Sequence, residues 1–217
     1  MSELTPPFKR DEFCQKRTPK QLDEYFEKKY QEILSNDKFK HKARLKKKPY
    51  KTFIEELRPL SIFCNNRLAN EDSVYCCLSK ENAAYDAIIM KNDHRVTVEI
   101  TWPIDGSEDY KSAKKLNSTG IDTNVWDSTD TKMHEKLLKI AKDAVSKKEQ
   151  KDYSNEEGSI LLIAFDEFLF DYSNPKHKEL LENFLENIIN RDFNVQETSF
   201  LFMQTKETAI IKGNPAV

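Results

Sequence analysis

Two carboxylates lie inside otherwise apolar stretches of this chain: Asp86 in AAYDAIIM and Glu99 in VTVEITW. A charged group in such a setting is costly unless something satisfies it. Side chains alternate faces along a strand, so Asp86 shares a face with Ile88 and Met90, and Glu99 with Thr97 and Thr101. Lys91-Asn92-Asp93-His94, between the two runs, has hairpin chemistry and puts the two acids at similar depth on neighbouring strands. The turn register then decides whether they share a face. On one face they offer convergent oxygens for a hard divalent cation, as Mg²⁺ requires. Such a cation lowers the pKa of bound water and stabilises charge on a phosphodiester. The plainer reading is a half-exposed sheet whose acids face solvent or pair with Arg95.

The elements that must position these residues are legible in the hydrophobic periods. Thr18-Pro19 followed by Gln21 reads as a capped helix start, and Leu22, Tyr25, Phe26, Tyr30, Ile33 and Leu34 give a helix over 19–35. Residues 51–67 begin as a helix that Pro59 kinks or shortens. The runs 74–78, 84–90 and 95–102 read as an antiparallel meander. A short helix is expected near 108–117. A longer one follows over 132–149, with Met133, Leu137, Ile140, Ala141, Ala144 and Val145 on its inner face and lysines on the other. Ser159–Phe165 has the continuous apolar character of a buried strand. Asn174-Pro175 opens a further helix, and strands are expected at 196–203 and 207–212. The fold class is therefore α/β.

That order of elements, with an acid on the second strand and E-x-x on the third, resembles the PD-(D/E)XK nuclease-like superfamily over about residues 52–166. The resemblance implies a restriction-endonuclease-like core of helix, three-stranded meander, helix and strand. Around it would sit an N-terminal helical extension and a C-terminal helix plus strands. Asp86 matches the family's Asp, and Glu99-Ile100-Thr101 its (D/E)-x-K. The auxiliary helix acid falls on Glu55 or Glu56. The implied metal ligands are Asp86, Glu99, Glu55 and Glu56, and the implied cofactor is Mg²⁺ or Mn²⁺. Thr101 occupies the position of the family's lysine and carries no charge. Lys91, Lys111, Lys114 and Lys115 are the candidates to replace it, and no spacing selects among them. A second D-x-K, Asp109-Tyr110-Lys111, lies in a Gly/Ser loop without apolar flanks.

Charge is divided along the chain. Residues 1–51 hold 15 basic and 8 acidic side chains, and residues 52–217 hold 20 and 29, so a net −2 conceals +7 joined to −9. This division suggests a basic helical extension (1–51) on an α/β nuclease-like domain (52–217). Within 38–51, eight Lys/Arg occur without an acid. Lys40, Lys42, Arg44, Lys46, Lys47 and Lys48 are the candidates to hold nucleic-acid phosphates, while a solvated linker or a dock for an acidic protein explains the same run. No apolar run approaches the roughly 20 residues that cross a bilayer. Met1–Pro7 lacks the basic-then-apolar export pattern, which predicts a cytoplasmic protein. Four cysteines without Cys-x-x-Cys or zinc spacing read as free thiols. The function expected is metal-dependent hydrolysis of DNA phosphodiesters, of restriction or defence type. The alternative is a catalytically inactive scaffold that binds a protein as an immunity or regulatory module. DNA, a protein partner and a second copy in a homodimer are the corresponding partners, with no membrane.

Overall fold

Thr18 caps the first long helix through a reciprocal pair of bonds: its hydroxyl accepts from the Gln21 amide, and the Gln21 side chain accepts from the Thr18 amide. In the computed structural model, which describes residues 5–71, 73–104, 106–121, 131–149, 151, 158–167, 170 and 173–216, this helix is α1 (Pro19–Leu34). Asn36 caps α2 (Asp37–Arg44) by accepting from two backbone amides. α3 (Tyr50–Thr52) runs through a π-helical turn (Phe53–Leu57) into α4 (Arg58–Leu68). Pro59 has no N–H for a bond back to residue 55, and the helix widens just before it, with the Arg58 amide donating to the Phe53 carbonyl.

The meander follows as β1 (Val74–Leu78), β2 (Ala87–Lys91) and β3 (His94–Thr101). Asn92 turns the β2–β3 hairpin at φ 55°, a conformation that Asn tolerates. The remaining elements are α5 (Gly106–Thr119), α6 (Thr131–Glu149), β4 (Ser159–Phe165), α7 (Pro175–Ile189), β5 (Glu197–Phe202) and β6 (Thr208–Gly213). All six strands join one mixed, open sheet in sequential order. β1–β2, β2–β3 and β5–β6 are antiparallel, and β4 lies parallel to both β3 and β5. The α/β class and nearly every expected element are therefore present.

The two faces of the sheet carry separate buried clusters. On one, Leu22, Phe26, Phe53, Leu57, Leu60 and Phe63 pack with Cys76, Ile89 and Val98, and with Ile160, Leu162 and Ala164 of β4. On the other, Leu161, Ile163, Phe165 and Phe200 pack under α6 and α7 through Leu138, Ala141, Val145, Leu181, Phe184 and Ile188. The strictly alternating membership of β4 explains its unbroken apolar sequence, since both of its faces are covered.

Residues from Phe8 to Tyr50 contribute to the first cluster. Phe8, Phe13, Leu22, Phe26, Ile33 and Tyr50 are all buried in it. Phe8 stacks on Phe53 with ring centroids 4.6 Å apart, and Phe26 stacks on Phe53 at the same distance. Arg17 also exchanges two backbone hydrogen bonds with Cys76, covering part of the β1 edge. The charge division at residue 51 thus marks no break in packing, because the apolar residues between the lysines are what the fold uses. Phe8→Ala is expected to cost about 3–5 kcal/mol, read as a lowered urea midpoint. An unchanged midpoint would show that the segment is a dispensable appendage.

Candidate functional site

The β2–β3 pairing ends at Ala87 opposite Val98, so Asp86 lies just outside the paired strand. It is close enough to Glu99 for the two carboxylates to interact electrostatically. Asp86 stands immediately before β2, where its amide donates to the Val98 carbonyl at 3.0 Å. Its Oδ2 accepts from the Ile100 amide at 2.8 Å. Glu99 is only 4% exposed and neighbours Leu161 on the parallel strand β4, so the reading of a solvent-facing acid does not describe it. Arg95 instead lies against the Tyr85 ring, 5.0 Å from its centroid.

Glu99 is neutralised by lysines at the C-terminal end of α6 and just beyond it. Its Oε1 accepts from Lys148 and from Lys151, the latter at 2.6 Å. Its Oε2 is buried with no hydrogen-bond partner among the described residues. The inner face of α6 differs from the expected one: the buried residues are His134, Leu138, Ala141 and Val145. A buried histidine hides this stripe from a hydrophobicity count. The same spacing continues from Val145 to Lys148, so one lysine of a basic helix falls on the buried face and reaches the sheet. That register is the signal for this lysine, which a reading of the whole basic face as solvated overlooks. His134 and His177, far apart in sequence, also meet at 3.8 Å between ring centroids.

Glu56 joins the acid pair from the π-helical turn. Its carboxylate accepts from the Thr52 hydroxyl at 3.4 Å and lies 4.0 Å from Arg10. Burial, followed by the charge of Asp86, raises its pKa above the ordinary value. Burial, followed by the charge of Glu99, does the same for Asp86. Charge therefore couples Glu56 to Asp86 and Asp86 to Glu99. Glu55 points elsewhere, pairing with Lys46 at 3.1 Å and Lys51 at 3.8 Å. Thr101 is buried opposite Ile163.

The other candidate lysines are distributed away from this pair. Lys91 ends β2, at the opposite end from Asp86, and pairs with Glu71 at 2.7 Å. Lys111 pairs with Glu108, while Lys114 and Lys115 are exposed on α5. Asp109 pairs with Lys46. The basic run is folded and largely tied down: Lys40 to Asp37, Lys46 to Glu55 and Asp109, and Lys48 to Glu81. Arg44 donates to Asn117, and Lys42 and Lys47 lie on or just after α2. Of these, Lys48 lines a cavity of about 330 Å³ beside Asp86, together with Arg10, Lys51 and Glu56.

Among the described residues, no group of three or more His, Cys, Asp or Glu side chains is arranged to hold a metal ion. Asp86 and Glu99, the latter with a buried unpartnered oxygen, are the residues that could hold a Mg²⁺-type ion, which commonly takes one or two carboxylates and completes its shell with water and phosphate. No helix is long and apolar enough to cross a membrane among the described residues. Compared with family models, curated proteins and solved structures, the chain matches none.

The electrostatics of the site can be read in stability. Lys148→Met leaves the Glu99 carboxylate buried with weaker compensation, and a cost of about 3–5 kcal/mol is expected by urea denaturation. Lys151→Met, at a more exposed position, is expected to cost less. Asp86 and Glu56 have raised folded-state pKa values, so folding favours their protonated forms. Their destabilisation is absent below the unfolded carboxylate pKa and grows as pH rises from there through the folded value. Asp86→Asn is therefore expected to stabilise the protein at pH 7, with the gain shrinking as pH falls through about 4. Denaturation midpoints measured across that range check the sign.

Proposed function

We propose that the protein is a metal-dependent endonuclease that hydrolyses DNA phosphodiester bonds on a restriction-endonuclease-like core. The observation that best supports this reading is the convergence of Asp86, Glu99 and a lysine from α6. Thr101 lacks the charge expected at its position, and Lys148, seconded by Lys151, brings an ammonium group to the same carboxylate. The mixed order of three antiparallel meander strands followed by parallel β4 supports the same core.

Asp86 and Glu99, with Glu56 beside them, are the residues that would hold Mg²⁺ or Mn²⁺. When bound, such an ion supplies Lewis-acid stabilisation of phosphate charge and an acidified water. The chain's own contribution is positional and electrostatic. The Ile100 amide fixes the Asp86 carboxylate. Lys148 places positive charge beside Glu99, where it can balance charge developing on a phosphate oxygen. Arg10, Lys48 and Lys51 surround the adjoining cavity and attract the substrate backbone.

The test is conversion of supercoiled plasmid to nicked or linear DNA in Mg²⁺ or Mn²⁺. Asp86→Asn, Glu99→Gln and Lys148→Ala are each expected to lower the rate about 100-fold or more, with DNA binding kept in Lys148→Ala. Protein that binds DNA but never cleaves it, in either metal, would replace this reading with the non-catalytic scaffold.

A further inference from the structure

The cavity beside Asp86 combines features that a phosphate groove alone does not need. Its volume of about 330 Å³ sits at the small end of ligand pockets, roughly 300–1,000 Å³. A nucleotide unit suits that scale, and an intact duplex does not. Its basic lining comes from three separate segments: Arg10, Lys48 with Lys51, and Lys80. Arg10 is held in place, donating to the Ser79 carbonyl at 2.9 Å and to the Cys14 sulfur at 3.5 Å. Tyr85 also lines it, with the Arg95 guanidinium 5.0 Å from its ring centroid. Cations that follow a backbone, joined to an aromatic ring on which a base stacks, are the components of single-strand recognition.

We propose that this cavity is a subsite for one unpaired nucleotide of a single DNA strand. Tyr85 stacks the base, and Arg10, Lys48, Lys51 and Lys80 take the flanking phosphates. The substrate is then an overhang, an end or an unpaired segment, including one that a supercoiled plasmid opens. This deepens the nuclease reading and rests on it for the chemistry, since Asp86 forms part of the same wall. Binding can be measured apart from cleavage.

The experiment is fluorescence anisotropy of the full chain in EDTA, with a labelled oligothymidylate and a blunt duplex of equal length as probes. The single strand is expected to bind about tenfold tighter than the duplex. Tyr85→Ala is expected to weaken single-strand binding about tenfold, and Tyr85→Phe by no more than about twofold. Lys51→Ala, a surface change that spares the core, is expected to flatten the salt dependence by about 0.7 in slope. Equal or tighter binding of the duplex overturns the proposal, as does an unaltered salt slope in Lys51→Ala. Plasmid cleavage with single strands neither bound nor cut overturns the subsite and leaves the nuclease standing. Single-strand binding with these variant effects, but no cleavage of any DNA, supports the subsite and overturns the nuclease.

Discussion

A carboxylate buried in the middle of a sheet must be compensated, and the neutralisation of Glu99 organises much of this molecule. An ion in a low-dielectric interior is tolerated only when a partner is close and well placed. Here the partners come from the last turn of α6 and the residues just beyond it, so the requirement at one atom of β3 fixes how a helix whose Lys148 is 49 residues away ends against the sheet. Lys148 supplies the more buried half of the compensation and Lys151 the more exposed half. Asp86, just before β2, is buried and ionises beside an existing negative charge, and both effects raise its pKa.

That arrangement has a chemical consequence in the proposed reaction. The carboxylate oxygen already engaged by two lysines and the oxygen left unpartnered belong to the same side chain. One oxygen keeps the ammonium groups near the reacting phosphate while the other remains available as a ligand. Burial also strengthens each of these interactions relative to water, so the lysines act on a site where modest charge changes have large effects.

The N-terminal residues play two roles at once. Their aromatic rings complete the core around Phe53, and their cations meet acids of the remaining chain, as in Lys46–Glu55, Lys48–Glu81 and Arg10–Glu56. The exposed Lys48–Glu81 pair adds little stability, but together the three place positive charge around an acidic centre. The π-helical turn before Pro59 separates the two adjacent glutamates, sending Glu55 to lysines and Glu56 towards Asp86.

Periodicity, the Thr18 and Asn174 caps and the Asn92 turn are local effects, so the elements could be read from the residues alone. Asp86 and Glu99 were legible in the same way, since acids in apolar strands are anomalous wherever those strands pack. The lysine partner of Glu99 was carried only by the spacing that continues the buried stripe of α6 to Lys148. Lys91 is close in sequence but lies at the far end of β2, whereas Lys148 meets Glu99 only once α6 packs against the sheet. Nor could charge counting reveal that Phe8, Phe13 and Tyr50 are core, because burial is decided by rings that the lysines surround. Net charge is an additive property of composition. Which charges meet depends on long-range packing, and that exists only in the folded chain.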